Sequence, residues 1–143
     1  MIEDIAQSID IAAPPERVWQ VLTGEGLVEQ WLGCMNYKAE LGHVFHMQQD
    51  PAKRAASDTT GATHCELLTL EPPRRMTFSW YYPEMPKTEV SIALDPIEGG
   101  TRVALVHTGW DQYDGDQIKA IRDALAGGWG SYVLPQLKRV AEA

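Results

Sequence analysis

The chain has 143 residues, which is enough for one sizeable hydrophobic core, and we expect a single domain over residues 1–143. Twelve Lys and Arg against twenty Asp and Glu give a formal net charge of −8. With no basic cluster in the chain, this balance argues against nucleic acid and anionic membrane surfaces as partners. An acidic N-terminus and the lack of an apolar run of about 18 residues predict a soluble, cytoplasmic protein without a membrane span.

The N-terminal part predicts a strand followed at once by two short helices. The isoleucines of "QSIDIAAPPERVW" alternate as in a half-buried strand, and the Pro-Pro pair suits the first turn of a helix. Two short apolar helical faces follow, one ending at Gly24 and one before Gly33. Trp19 and Trp31 lie on the apolar sides of these helices.

Between Met35 and about Thr108 the pattern changes to strands separated by turn residues. Five segments alternate apolar and polar residues: "GHVFHMQQ", "THCELLTLEPP", "RRMTFSWYYP", "TEVSIALDP" and "GGTRVALVHTG". Together with the first strand they predict an antiparallel sheet of about six or seven strands. The stretch from Asp50 to Gly61 is expected to be the longest and most mobile loop.

The C-terminal segment predicts a long helix, with Asp114 or Asp116 as its cap. Apolar residues recur at three- and four-residue steps from Ile118 to Val140, which predicts one stripe packed against the sheet. Gly128 falls on this stripe, so either the backbone packs closely there or space is left open. Pro135 is expected to kink the last turns.

Four segments in this order resemble the START-like (SRPBCC) superfamily, and within it the family of homologues of the activator of the heat-shock protein 90 ATPase. They are "IDIAAPPERVWQVLTGEGLVEQWLG", "LEPPRRMTFSW", "GGTRVALVHTGW" and "GGWGSYVLPQLKRV". The resemblance implies an α+β helix-grip fold, in which a curved antiparallel sheet wraps around a long C-terminal helix and two short helices follow the first strand. It also implies a cavity between sheet and helix for small apolar or amphipathic ligands, closed at one end by the two short helices. In such a fold Trp19 is expected in the core and Trp31 nearer to a ligand.

Strand periodicity suggests which side chains face such a cavity. If Leu68 and Leu70 point inward, His64 and Glu66 share their face, whereas a bulge that shifts the register would turn Glu66 to solvent. With Leu68 inward, Leu68→Arg would abolish ligand binding or destabilise the domain. The same reasoning groups the inward positions of the later strands, and the helix adds those of its stripe. The candidate ligand-binding residues are Trp31, Phe45, His64, Glu66, Leu68, Phe78, Trp80, Ile92, Val103, Leu105, His107, Leu125, Gly128 and Trp129.

Metal and cofactor chemistry is not indicated by the sequence. The one cluster worth considering is His43, His46, His64 and Cys65, but His43 and His46 differ in strand parity and would face opposite sides. No phosphate-binding loop or nucleophile motif is visible, so no cofactor and no metal are expected. Cys34 and Cys65 have no CxxC spacing and are expected to be reduced thiols.

Three functions fit these expectations. The first is a monomeric or dimeric carrier or sensor of a small hydrophobic ligand. The second is a cyclase- or dehydratase-like enzyme that uses His64, Glu66 or His107 as acid or base. The third, suggested by the family resemblance, is a helper of a chaperone ATPase, which we rank last because the predicted cup domain takes up the whole chain. Binding without turnover is the expectation.

Overall fold

Seven strands form one antiparallel sheet in the order β1-β7-β6-β5-β4-β3-β2. The computed structural model describes residues 2–48, 50–113 and 115–143. The strands are β1 Ile5–Ile11, β2 Cys34–Met35, β3 Val44–Met47, β4 Thr63–Glu71, β5 Arg75–Trp80, β6 Thr88–Ile97 and β7 Gly100–Thr108. The sheet curls into a half-barrel with its apolar side chains on the concave face.

The α-helices lie where the sequence predicts them, with one addition at residues 51–55, and a 3₁₀ turn, Trp110–Gln112, follows the last strand. The α-helices are α1 Pro15–Thr23, α2 Val28–Trp31, α3 Pro51–Ala55, α4 Asp116–Gly128 and α5 Leu134–Glu142. A π-helical segment, Trp129–Val133, joins α4 to α5, so residues 116–142 form one continuous C-terminal helix of 27 residues. This arrangement confirms the predicted α+β helix-grip fold.

The ends of the helices show how local sequence shapes the fold. Pro15 lies in the first turn of α1, where its missing N–H is not needed, and Gly24 follows the last residue. The C-terminal helix begins differently from the prediction. Its N-cap is Gly115, and Asp116 is already the first helical residue, so Asp116 does not cap it. Asp114, the other predicted cap, lies outside the described residues.

The region predicted as the longest loop contains a short helix. Asp50 is the N-cap of α3, and its Oδ1 accepts a hydrogen bond from the backbone N–H of Ala52 at 2.9 Å. The prediction of one long loop from Asp50 to Gly61 was therefore wrong for its first half. The physical reason is local, because an Asp followed by Pro at the first helical position is a strong helix start.

Pro135 is accommodated within the C-terminal helix and does not end it. A prolyl residue cannot donate the hydrogen bond that a regular helix requires, and the five residues of the π-helical segment come directly before α5, in whose first turn Pro135 lies. The hydrogen-bond pattern therefore changes next to the proline, and the helix does not end there. The helix then continues to Glu142 and packs α5 against β1, α1 and α2.

Candidate functional site

An open cleft of about 520 Å³ lies between the concave face of the sheet and the first half of the C-terminal helix. Its strand side is formed by Met47, Thr63, Trp80 and Tyr82. Its helix side is formed by Ile121, Ala124, Leu125, Gly128, Trp129, Tyr132 and Val133. None of these described lining residues carries a charge, and four of them are aromatic. We call this site the apolar cleft.

The cleft exists because the apolar stripe of the C-terminal helix is fully buried only in the second half of the helix. In α5 the stripe is closed, since Leu134, Leu137 and Ala141 are buried. In α4 no residue is fully buried, and Ile121 and Leu125 remain half-exposed. The predicted stripe therefore packs against the core in both halves of the helix, since Ile121 and Leu125 also contact it, but the stripe is fully buried only in the second half.

Two glycines of the helix show where its backbone packs closely and where space is left open. A Cβ atom added at Gly128 would meet no atom within 4 Å, so the space beside it is empty. A Cβ added at Gly130 would lie 2.9 Å from Oε1 of Gln7 on β1, so the close approach occurs there. Gly127 also has open space, but it is exposed and does not line the cleft.

Beneath the cleft, a buried hydrogen-bond chain connects its two tryptophan walls. The indole N–H of Trp129 donates to Nδ1 of His107 at 3.3 Å. Nε2 of His107 lies 2.7 Å from Oγ1 of Thr88, and that hydroxyl donates to the carbonyl oxygen of Trp80 at 2.6 Å. This order of donors requires the neutral Nε2–H tautomer of His107. Burial lowers the pKa of His107 to about 3, which keeps the ring neutral near pH 7.

The predicted orientation of β4 was wrong. Thr63, Cys65 and Leu67 are buried and face the core, whereas His64, Glu66 and Leu68 lie on the outer face, Leu68 with 42% of its surface exposed. The cause is a β-bulge between Leu67 and Thr69. Leu67 pairs with Phe78 and Leu70 pairs with Met76, both inward residues of β5, so Leu68 is the extra residue between two inward positions.

The outer-face groups have partners of their own. Oε1 of Glu66 lies 3.9 Å from Nζ of Lys87, which also lies over the ring of Tyr81. The rings of His46 on β3 and His64 on β4 contact each other edge to face, with centroids 4.6 Å apart. Burial and the neighbouring His64 lower the pKa of His46. These groups cannot act together with His107, because the sheet separates them.

The fourteen predicted ligand-binding residues divide into four groups. Those that line the apolar cleft are Trp80, Leu125, Gly128 and Trp129. Those that fill the core on the concave face are Phe45, Phe78, Ile92, Val103, Leu105 and His107. Those on the outer face are His64, Glu66 and Leu68. Trp31 is buried, its indole N–H donates to the carbonyl oxygen of Val21 at 2.9 Å, and it lines a second pocket beside the apolar cleft. Contact of any of them with a ligand stays a prediction.

Several cleft residues were missed by the strand-by-strand reasoning, although a signal for them exists. Met47 and Thr63 form a directly opposed pair of β3 and β4, which the parity of the buried Phe45 would have placed inward. Tyr132 and Val133 follow Gly128 and Trp129 by four residues on the same helical stripe. Tyr82 lies in a turn, where periodicity carries no information.

The thiols and the histidine cluster do not form a metal centre in the part of the chain that the structure describes. Cys34 and Cys65 are both free and buried. Burial raises the pKa of the Cys34 thiol to about 12 and that of Cys65 well above its usual value. Within residues 2–48, 50–113 and 115–143, no three His, Cys, Asp or Glu side chains come together in a geometry that could hold a metal ion.

The fold and the cleft define a helix-grip domain, and comparison with known families identifies its family. The model of the family described as "Activator of Hsp90 ATPase homolog 1-like protein" matches residues 12–142, and the chain belongs to this family. A search of curated proteins finds no match. Within the described residues, no helix is long and apolar enough to cross a membrane.

Solved structures agree with this fold over nearly the whole chain. The solution structure of protein BH1534 from Bacillus halodurans is 27% identical, with a TM-score of 0.76, covering 99% of this chain and 98% of that one. Protein MLL2253 from Mesorhizobium loti is 26% identical, with a TM-score of 0.74, covering 98% and 94%. The Aha1 dimer from Colwellia psychrerythraea is 22% identical, with a TM-score of 0.71, covering 99% and 97%, and supports the fold alone.

Proposed function

We propose that this protein binds one small, largely apolar molecule in the apolar cleft, as a carrier or sensor. The observation that carries the proposal is the uneven burial of the C-terminal helix: its stripe is closed in α5 and open in α4, beside the empty space at Gly128. An apolar stripe left open to water is costly, and a ligand that covers it would recover that free energy.

The size and lining of the cleft support a ligand of ordinary small-molecule dimensions. Its volume of about 520 Å³ falls within the roughly 300–1,000 Å³ typical of ligand pockets. Tyr82 and Tyr132 at the rim are 40% and 75% exposed, so each has surface left to bury against a guest. Aromatic walls favour flat or chain-like apolar groups, because they offer large contact area at low entropic cost.

The enzymatic alternative has less support from the same geometry. It requires His64, Glu66 and His107 around one space, but two of them lie on the outer face and the third is buried. Both ring nitrogens of His107 are already engaged, and its lowered pKa makes it a poor base. The homodimeric arrangement known for the Colwellia protein and the chaperone connection in the family description stay secondary hypotheses for this chain.

The proposal is tested by titrating the protein with N-phenyl-1-naphthylamine, a neutral apolar fluorophore, while exciting tryptophan. Because Trp80 and Trp129 line the cleft, a bound probe is expected to quench tryptophan emission with a stoichiometry of one and to gain emission by energy transfer. Native mass spectrometry of gently purified protein then shows whether a cellular molecule occupies the same site and competes with the probe. No saturable binding of the probe, together with no co-purifying molecule, would overturn the proposal.

A further inference from the structure

A second chamber adjoins the apolar cleft and differs from it in chemistry. It has a volume of about 330 Å³ and shares Met47, Tyr132 and Val133 with the cleft as common walls. Its remaining lining includes polar groups from α2, α3 and α5, among them Arg54. We call it the polar chamber. The two spaces therefore meet along these three residues, and a molecule lying across them would have its apolar part in one space and its polar end in the other.

Arg54 is the cationic group of this chamber, and it is only partly used. Its Nη1 donates to the carbonyl oxygen of Gln48 at 2.7 Å, while its other N–H groups have no hydrogen-bond partner among the described residues. No described carboxylate lies within 4.0 Å of it, although the chain carries a net charge of −8. By contrast, Arg102 on the outside of the sheet is bound by both oxygens of Asp10.

The position of the guanidinium depends on a glycine. A Cβ atom at Gly33 would lie 2.7 Å from Nη1 of Arg54, so a side chain at this position would displace the guanidinium from where it now lies. In this position beside Gly33, Arg54 is half-buried. A guanidinium held against the backbone, with free N–H donors at the wall of a chamber, suits a planar anion such as a carboxylate, which it can bind through two parallel hydrogen bonds.

The other charged group of the chamber is Glu29, which does not cancel Arg54. Its side chain is exposed on α2 and forms no ion pair with Arg54. Solvent and salt screen an exposed carboxylate more strongly than a half-buried guanidinium. Gln30 and Gln136 add neutral amide groups to the same lining. Arg54 is therefore the less screened of the two charges that line the chamber.

We infer that the ligand is an amphipathic carboxylate, with its apolar body in the apolar cleft and its carboxylate bound to Arg54 in the polar chamber. This inference rests on the proposed function and adds the chemical class of the ligand. It assigns to Arg54 the recognition of the head group and to Gly33 the space that Arg54 occupies.

The test compares three probes with the same chain length: dodecanoate, dodecan-1-ol and dodecyltrimethylammonium, each used to displace N-phenyl-1-naphthylamine. The wild-type protein is expected to bind dodecanoate about tenfold more tightly than dodecan-1-ol, and the cationic probe most weakly. Arg54→Gln is expected to abolish the preference for dodecanoate and to leave dodecan-1-ol unchanged, which also shows that the variant is folded.

Lys53→Gln is the matched control, since it removes one positive charge from the neighbouring residue, which does not line the chamber. It is expected to keep the preference for dodecanoate. Equal affinity of the wild type for dodecanoate and dodecan-1-ol would overturn the inference while leaving the proposed function intact. Equal losses in both variants would also overturn it, because they would indicate a general electrostatic effect. If neither dodecan-1-ol nor the fluorophore binds, the proposed function itself fails.

Discussion

Filling the empty space beside Gly128 should block the cleft without harming the fold. An added Cβ at Gly128 meets no atom within 4 Å, and the residue lines the open cleft, so the side chain of Gly128→Leu is expected to extend into the cleft. Replacing glycine in a helix interior should also stabilise the helix by roughly 0.5–1 kcal/mol. For a chain of this size, such a gain raises the Tm by about 2–4 °C.

The effect on binding follows from the apolar surface that the new side chain displaces. If the leucine excludes two methylene-sized groups of a ligand, at about 0.8 kcal/mol each, binding weakens by about 1.6 kcal/mol, or roughly 15-fold in Kd. Gly127→Leu is the matched control, because its neighbouring position also has open space but does not line the cleft. It should raise the Tm by a similar amount and leave binding unchanged.

The assay is displacement of N-phenyl-1-naphthylamine, with thermal unfolding recorded on the same samples. Weaker binding in Gly128→Leu alone supports the cleft as the ligand site. Unchanged binding in Gly128→Leu, or an equal loss in Gly127→Leu, would refute the reasoning. A large fall in Tm for Gly128→Leu would contradict the observation that the space beside this residue is open.

Three further predictions concern the protein without ligand. Between pH 7 and pH 5 the wild type should lose about 2 kcal/mol more of its unfolding free energy than His107→Gln. The pKa of His107 is about 3 in the folded protein and about 6.5 in the unfolded chain, so only the unfolded chain binds a proton in this pH range. Urea titrations at each pH measure this, and the comparison cancels the contribution of His46, which has the same sign; parallel profiles would contradict it. Leu67→Ala should destabilise the protein by about 2–5 kcal/mol and Leu68→Ala by less than about 0.5 kcal/mol, since only Leu67 is buried. Equal effects in urea unfolding would contradict the outward orientation of Leu68. Thiol labelling of Cys34 in the folded protein should be about a thousandfold slower than in urea, because burial raises its pKa from 9.0 to about 12; similar rates would show that the thiol is accessible.

The order of helices and strands could be predicted because each element has a regular apolar period or a clear boundary. The strands β6 and β7 alternate without interruption, so the inward positions of Val90, Ile92, Val103 and Leu105 follow directly from their spacing. Proline at the start of α1 and glycine after its end set the limits of that helix. The fold could therefore be predicted from local patterns within this one sequence.

The site could be predicted only in part, because it depends on features that periodicity does not report. The predicted orientation of His64 and Glu66 was counted from Leu68. Because Leu68 is the extra residue of a β-bulge, both side chains lie on the outer face and not on the predicted inner one. The empty space at Gly128 depends on the distance between helix and sheet, which glycine alone does not determine. The polar chamber brings together Gly33 and Arg54, which are distant in sequence and meet only in the folded protein.

The most direct test of ligand binding in the apolar cleft is a two-dimensional ¹H–¹⁵N spectrum of the five tryptophan indole N–H groups, recorded while dodecanoate is added. Trp80 and Trp129 line the cleft, whereas Trp19 lies on α1 away from it. We expect saturable shifts of the Trp80 and Trp129 signals with no change at Trp19. Shifts at Trp19 alone, or no shifts at saturating probe, would contradict the assignment of the cleft as the binding site.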